Sequence, residues 1–454
     1  MKHLSVDLDL VRKYNLPGPR YTSYPTAVQF TEVGDPEPLL ADIRENNREP
    51  RPLSLYFHLP FCETLCWFCG CTTVIGGDHG RTPVYLDYLE KEIELTRTLL
   101  HPDRKVVQMH FGGGTPSFLD PTEIERLGAI IHRAFNFEPD AECSVELDPR
   151  RLTRQHVEAF GRIGINRASI GIQDFNDDVQ KAVNRIQPRL LTEQAVAWIR
   201  EAGFRSVNFD LIYGLPHQDE HTFEETLEIA LEIGPDRFAV FNYAHGPWMK
   251  PAQKLLKILP GADTKLGMLK LVTEKLTSRG YRYIGMDHFA RADDELSRAQ
   301  TAKTLQRNFQ GYSTMAGADI YSFGMSSISQ LDAHYRQNEK TLPEYYRALD
   351  SGRLPIARAV RLNRDDVIRR TVIMKLMCDL ELDFDALGRE LDIDFRRYFA
   401  EAIEALDQFE SDGLIGHTPS GFHVTDMGRL LLRNLAMLFD AYLGEASNRF
   451  SRTI

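Results

Sequence analysis

Between Leu53 and about Arg279 the sequence alternates short apolar runs with amphipathic stretches. Six runs, Leu53–Leu59, Val106–Phe111, Cys143–Leu147, Arg167–Ile172, Ser206–Ile212 and Phe238–Asn242, are largely apolar or β-branched, as strands covered on both faces are. The stretches between them carry helix signals. Leu86, Leu89, Ile93 and Leu100 share one helical face, and Asp120-Pro121-Thr122-Glu123 reads as an N-cap, a proline at the first helical position and the acid of a capping box. Six β/α units with right-handed crossovers imply an α/β fold, a parallel (β/α)6 partial barrel over residues 51–280. Periodicity does not distinguish a closed barrel from one that stops open after six units.

The flanks read differently. Residues 1–50 hold a short helical stretch and then Pro19-Arg20-Tyr21-Thr22-Ser23-Tyr24-Pro25, an extended arm without a clear period. Residues 281–363 carry polar, glycine-containing segments and read as a barrel extension and connecting segment. From about Arg364 the pattern turns helical, followed by Leu414-Ile415, a turn at Pro419-Ser420-Gly421, Phe422–Val424 and a final helix from Asp426, a mostly helical C-terminal domain over 364–454. That order also fits a winged-helix DNA reader. Charge argues against it: residues 364–454 contain 11 Lys and Arg against 17 Asp and Glu, a net of −6, the wrong sign for tracking phosphates. The whole chain, at −11, likewise argues against nucleic acid as a partner. No apolar run approaches the roughly 18 residues that cross a membrane, and the start lacks the apolar core of a secretory signal. Six cysteines, four of them clustered, suit a reducing compartment better than a disulfide framework, so the cytoplasm is the expectation.

In parallel β/α barrels the chemistry collects at the C-terminal ends of the strands. The first strand ends at His58-Leu59-Pro60, with Tyr56 and His58 on one face, and opens into Cys62-x3-Cys66-x2-Cys69, with Cys71 following. Three thiolates on one short loop can hold a cubic iron–sulfur cluster with its fourth iron open; a zinc knot or a fully ligated cluster are the competing readings. Cys143 and Cys378 read as buried apolar residues. The second strand ends in Gly112-Gly113-Gly114-Thr115-Pro116, where the missing Cβ atoms let backbone approach a ligand. The remaining ends carry Glu146 and Asp148-Pro149-Arg150, Gln173-Asp174 with Asn184-Arg185 beyond, Asp210, and Asn242-Tyr243-Ala244-His245. Taken singly, Glu146, Gln173, Arg185 and Asp210 fit a structural polar network as well as a ligand site. His58 and His288 fit hydrogen-bonded core positions.

Together the cysteine motif and the Gly-Gly-Gly-Thr-Pro turn resemble the radical S-adenosylmethionine enzymes. Pro19–Pro25, Cys71, Val240–His245, Gly285–Arg291, Arg307–Tyr312 and the tail Asn448-Arg449-Phe450-Ser451-Arg452 narrow the likeness to the oxygen-independent coproporphyrinogen III oxidases, over essentially the whole chain. Trp67 and Gly246-Pro247-Trp248-Met249 depart from the family pattern. The resemblance implies loss of carbon dioxide from two propionates of coproporphyrinogen III, giving protoporphyrinogen IX in haem biosynthesis. It implies a [4Fe–4S] cluster on Cys62, Cys66 and Cys69, with S-adenosylmethionine on the open iron cleaved to a radical that takes a β-hydrogen. Phe68, Gly113, Gly114, Thr115, Glu146, Gln173, Arg185 and Asp210 would hold that molecule, Arg185 through its carboxylate. Tyr56, Gly112, Ala244 and Ile328 match positions for a second S-adenosylmethionine. Arg20 and Arg291 are candidates for the substrate's propionates. A small electron-donor flavoprotein and a monomeric state are the further expectations. A related haem-binding chaperone and a radical methyltransferase are the alternatives.

Overall fold

The computed structural model describes residues 4–446, so the tail Asn448–Arg452 lies outside the described residues. The six predicted strands all form: β1 (Leu53–Leu59), β2 (Lys105–Gly113), β3 (Asn136–Leu147), β4 (Arg167–Gln173), β5 (Ser206–Tyr213) and β6 (Arg237–Asn242). They pair in that order and in parallel, with Leu55 opposite Met109 and Asp210 opposite Ala239 as two points of the register. The strand Leu53–Leu59 has the predicted bounds, and the other five run one to several residues past them, mostly at positions such as Gly112, Asn136 and Gln173 that the apolar pattern does not mark.

A seventh parallel strand, Asp319–Phe323, adds to the free edge of β1, with Tyr321 opposite Leu55. Beyond it lie the antiparallel strands Ile328–Gln330, His334–Asn338 and Ile356–Arg361, and finally Thr31–Glu32. His288–Arg291 pairs antiparallel with β6, and Tyr281–Gly285 closes that side. The outermost strands are not paired with one another, so the 13-stranded sheet remains an open partial barrel. Most of these added strands have only two to six residues, too short for an alternating pattern to declare itself.

Helices cover the convex face. Leu86, Leu89 and Ile93 on Arg81–Arg97 are buried, as are Leu55, Phe57 and Leu59 of β1, and together they belong to the main core. The capping box is present: Asp120 accepts from the Glu123 N–H at 2.8 Å, and the Glu123 carboxylate accepts from the Asp120 N–H at 2.9 Å. Residues 364–446 build a second core around Val372, Leu376, Leu406, Phe422 and Leu435, into which the arm inserts Tyr14, Tyr21 and Tyr24. The hairpin Ile415–Thr418 with Gly421–Val424 forms where predicted and gains a third strand, Glu381–Asp383. The helix predicted from Asp426 starts later and is divided: Gly428–Leu431 is a 3-10 turn, an α-helix spans Leu432–Met437, and a short helix, Leu443–Ala446, follows. At the 3-10 turn the backbone presses on the neighbouring chain so closely that a Cβ on Gly428 would lie 1.9 Å from the Leu414 carbonyl oxygen.

Glu92, on the buried side of Arg81–Arg97, ties this layer to the added strands. Its carboxylate accepts from the Gly324 N–H (2.7 Å), the Asn338 amide (2.6 Å) and the Tyr345 hydroxyl (2.6 Å). Burial nevertheless outweighs those three bonds and raises its pKa to about 7. A carboxyl raised on folding stabilises fully below its unfolded pKa and loses that contribution as the pH climbs through the folded value. Wild-type protein is therefore expected to lose about 3 kcal/mol through this group between roughly pH 4.5 and pH 7. Glu92→Gln should remove that part of the slope, read as the denaturant midpoint of both proteins across the range; parallel curves would contradict it.

Candidate active site

The cysteine loop is held by backbone contacts on three sides. Phe61–Cys62 pairs in parallel with Val74–Ile75 and closes the loop on itself. At the end of β2 the Gly114 N–H donates to the Leu59 carbonyl and the Thr115 N–H to the Phe61 carbonyl, both at 2.8 Å. From the β4 side, Trp67 N–H donates to the Val183 carbonyl (3.0 Å) and the Asn184 amide to the Leu65 carbonyl (2.8 Å). The glycines serve this packing. A Cβ on Gly114 would lie 2.6 Å from the Pro60 carbonyl, and one on Gly113, whose φ is +113°, would lie 2.6 Å from the His58 ring.

A cavity of about 270 Å³ opens there, walled by Cys62, Cys66, Cys69, Phe68, Gly113, Gly114, Thr115, Glu146, Gln173, Arg185 and Asp210. Eleven of the predicted residues, from all of β2 to β5 and the cysteine loop, thus meet at one point. Gln173 holds φ of +69° at a break in the β4–β5 register, a left-handed backbone that a non-glycine residue adopts only under constraint. Glu146 accepts from the Gly113 N–H (3.2 Å) and from His110 (3.3 Å). Burial pushes its carboxyl up, but the His110 bond and charge and the Gly113 N–H together hold it below the usual value. Asp210 goes the other way. Burial, with the Glu146 charge, outweighs the Ser169 and Asn208 hydrogen bonds and raises it to about 7.

Beside the loop, Asp148 accepts from Arg150 (2.6 Å) and Arg185 (2.9 Å), and both guanidiniums also reach Cys66 Sγ, at 3.4 and 3.5 Å. Burial alone would raise the Asp148 carboxyl, but the charges of Arg185 and Arg150 bring it down to about 2. Arg185 also donates to the Gly171 carbonyl (2.6 Å), while its Nε is buried without a hydrogen-bond partner among the described residues. The sequence by itself assigns Asp148 and Arg150 no role. The two-residue strand period, which sets Asp148 on the face of Glu146, was the available signal.

Four predicted residues lie outside that wall. Tyr56 sits one layer deeper, its ring stacked on His110 with centroids 5.8 Å apart and its hydroxyl 3.1 Å from His58 Nδ1. Since His58 Nε2 faces the Thr72 carbonyl at 2.9 Å, Nε2 carries the proton and Nδ1 accepts from Tyr56; burial lowers the His58 pKa and keeps it neutral. Gly112 runs beside the Glu146 carboxylate, 3.0 Å from where its Cβ would be. Ile328 accepts through its carbonyl from Ser322, which is paired with Tyr56. Ala244 is exposed beyond β6.

The two arginine candidates separate. Arg20 pairs with Asp287 and lies 5.6 Å from the centroid of Phe241, which lines the cavity. Arg291 is a correction. It sits beside the start of β6, at the opposite end of the sheet, and donates to the Pro235 and Gly234 carbonyls below the helix Glu220–Ile233. Arg20 has other company: buried Arg307 donates to the Tyr21 (3.1 Å) and Arg20 (3.2 Å) carbonyls, and Arg433 donates to the Pro19 carbonyl (3.0 Å). Arg307 Nη1 and His288 Nδ1 are buried without a hydrogen-bond partner among the described residues. Burial, then the charge of Arg20, lowers Arg433 to about 10; burial with Arg307 and Arg20 brings His288 down to about 3. Arg20 and buried Arg307 share this layer with the Asp287 carboxylate, and the Arg307 Nη1 left unpartnered among the described residues suits an anion.

Residues 56–230 match the Radical SAM superfamily and residues 362–431 the HemN C-terminal domain. Oxygen-independent coproporphyrinogen III oxidases of Synechocystis sp. and Pseudomonas aeruginosa are each 46% identical, covering 98% and 99% of this chain and 97% and 98% of theirs. The solved coproporphyrinogen III oxidase (HemN) from Escherichia coli, a radical SAM enzyme, superposes with a TM-score of 0.92 at 43% identity over 97% of this chain and 100% of its own. The chain belongs to the oxygen-independent coproporphyrinogen III oxidase family. Membership of this oxidase family and its superfamily brings a [4Fe–4S] cluster and S-adenosylmethionine. The residues fit both. Cys62, Cys66, Cys69 and Cys71 all line the cavity, and the Cys71 N–H donates to Cys69 Sγ at 3.4 Å. The unpartnered Arg185 Nε and the ring of hydrogen-bonding groups suit a small zwitterion.

Proposed function

We propose that this site removes carbon dioxide from two propionates of coproporphyrinogen III to give protoporphyrinogen IX. The observation that carries the reading is the stacking of two chemistries: a cysteine-walled polar cavity, and directly beyond Phe241 a cluster of arginines suited to carboxylates. When bound, the cluster and S-adenosylmethionine supply the one-electron chemistry that takes a hydrogen atom from an unactivated propionate carbon.

The chain's own residues do the rest. Cys62, Cys66 and Cys69 would hold the cluster as thiolate ligands. Arg185, oriented by Asp148, would meet the carboxylate of S-adenosylmethionine. Gly113, Gly114, Thr115 and ionised Glu146 serve its amino group. Gln173 and Asp210 serve the ribose, Asp210 as a donor below about pH 7. Phe68 borders the adenine. Tyr56, Gly112, Ala244 and Ile328 are proposed for a second S-adenosylmethionine. Arg20 and Arg307 bind propionates, and the arm and Phe241 exclude water from the radical. Among the described residues no helix is long and apolar enough to cross a membrane, and we assign the reaction to the cytoplasm, in a monomer supplied with electrons by a small flavoprotein.

Anaerobic incubation with dithionite, S-adenosylmethionine and coproporphyrinogen III should release carbon dioxide and 5′-deoxyadenosine together. Deoxyadenosine without decarboxylation would reject the substrate while keeping the superfamily chemistry. Arg307→Gln should raise the KM for coproporphyrinogen III roughly tenfold, the worth of one charge-assisted contact, with little change in S-adenosylmethionine affinity. An unchanged KM would remove Arg307 from the substrate site.

A further inference from the structure

Residues 246–260 include the Gly246-Pro247-Trp248-Met249 departure, and the proposed reaction uses none of them. They contain Lys250, Lys254 and Lys257 but no Asp or Glu, in a chain of net charge −11. Lys250 reaches the Cys71 carbonyl (2.8 Å) and Lys257 the Lys254 carbonyl (2.9 Å), so neither is neutralised by a carboxylate there. Lys340 extends the same basic ground: burial lowers its pKa, and the charges of Arg358 and Lys250 add to the effect.

Four large apolar side chains on this segment face solvent: Trp248 is 77% exposed, Met249 69%, Leu255 51% and Ile258 72%. Scattered exposed apolar residues are ordinary, but a group of this size concentrated on one short segment marks an interaction surface. Ile258 is β-branched yet holds φ of +56°, a conformation that such residues adopt only when the surroundings impose it. The opposite face of the segment is anchored to the cysteine loop. Buried Gln253 donates to the Phe68 carbonyl (3.0 Å), and Leu256 packs in one cluster with Trp67, Phe68 and Val183.

We propose that this lysine-flanked apolar ridge is the docking surface for the electron donor, a small flavoprotein with an acidic face. The proposal rests on the one-electron reading of the site. One electron leaves the partner's reduced flavin and enters the cluster; the flavin is oxidised by one electron, the cluster is reduced by one, and no bond forms or breaks. Charge complementarity selects the partner, since an acidic protein is repelled by most of this chain and attracted to this segment. Position makes the contact useful, because a donor seated here lies against the back of the cysteine loop. The exposed tryptophan supplies the kind of aromatic anchor on which interfaces concentrate their affinity.

The test uses cluster-loaded protein and a recombinant bacterial flavodoxin carrying FMN, with affinity measured by calorimetry at low and high salt. Saturable binding that weakens with salt is expected. Lys254→Glu combined with Lys257→Glu, and separately Trp248→Ser, should each weaken binding about tenfold. In both variants dithionite-driven release of 5′-deoxyadenosine should equal wild type, while flavodoxin-driven release falls with the affinity. Wild-type protein that does not bind flavodoxin, or variants that bind it unchanged, overturn the proposal. A dimer that Trp248→Ser converts to monomer also overturns it, in favour of a second copy of this chain as the occupant. Wild-type protein that binds flavodoxin yet releases no deoxyadenosine with dithionite defeats the one-electron reading itself, and the proposal with it.

Discussion

Cys66→Ser is expected to give a folded protein with little iron or sulfide and about a thousandfold less 5′-deoxyadenosine release, roughly 4 kcal/mol of barrier. Serine keeps the size of the side chain but offers a hydroxyl that stays protonated, where a soft thiolate is needed. Cys66 is the most buried of the four loop cysteines and the one whose sulfur two guanidiniums reach. Folding should survive, because the loop is pinned through backbone groups of Leu65, Trp67, Phe61 and Thr115. Cys62→Ser and Cys69→Ser should behave alike. Cys71→Ser should keep its iron, since the Cys71 N–H bond to Cys69 stays in place and a serine hydroxyl can replace the thiol's own hydrogen bond to Cys69. Iron and sulfide analysis of anaerobic preparations checks all four. Iron lost from the Cys71 variant but retained in the Cys66 variant would reverse the assignment.

The second large effect is expected from Asp148→Ala. Arg185 and Arg150 are mostly buried and share this carboxylate, so its removal leaves two guanidiniums without their counter-charge. Breaking such a pair from one side costs about 3–5 kcal/mol, well above the worth of the hydrogen bonds themselves. Affinity for S-adenosylmethionine should fall as well, because Arg185 loses the contact that orients it. Denaturant unfolding and equilibrium dialysis with S-adenosylmethionine read the two consequences separately. Arg150→Met tests the logic from the other side: it removes one cation and leaves Arg185 paired, and should retain most of the binding. Equal losses in both variants would show that Asp148 acts on the fold alone.

Legibility differed by element. The six strands and the capping box at Asp120 were readable because each depends on residues close in sequence. The strand ends were readable too, since a parallel sheet sends every C-terminal end to the same side and therefore assembles Glu146, Gln173 and Asp210 with the cysteines. Asp319–Phe323 carries no local signal although its five residues are all buried, because it is a lone short strand followed by others of three and five residues. Arg291 misled for a related reason. A residue near a family motif says nothing about which end of an antiparallel strand it occupies, and the pairing of Phe289 with Phe238 and of Ala290 with Arg237 carries Arg291 to the far side.

Local order along the chain thus determined the parallel α/β frame, the thiol loop and its polar surroundings, since strand period, helix caps and cysteine spacing act over a few residues. Tertiary structure alone decided that the sheet stays open after a seventh parallel strand, that Asp148 governs two arginines, and that Arg307 and Arg433 join Arg20 beyond the cavity. Those outcomes depend on pairings across hundreds of residues, such as Arg307 with Tyr21 and Arg433 with Pro19. Burial, which sets the charge on each of these groups, comes into being only when the distant segments close over them.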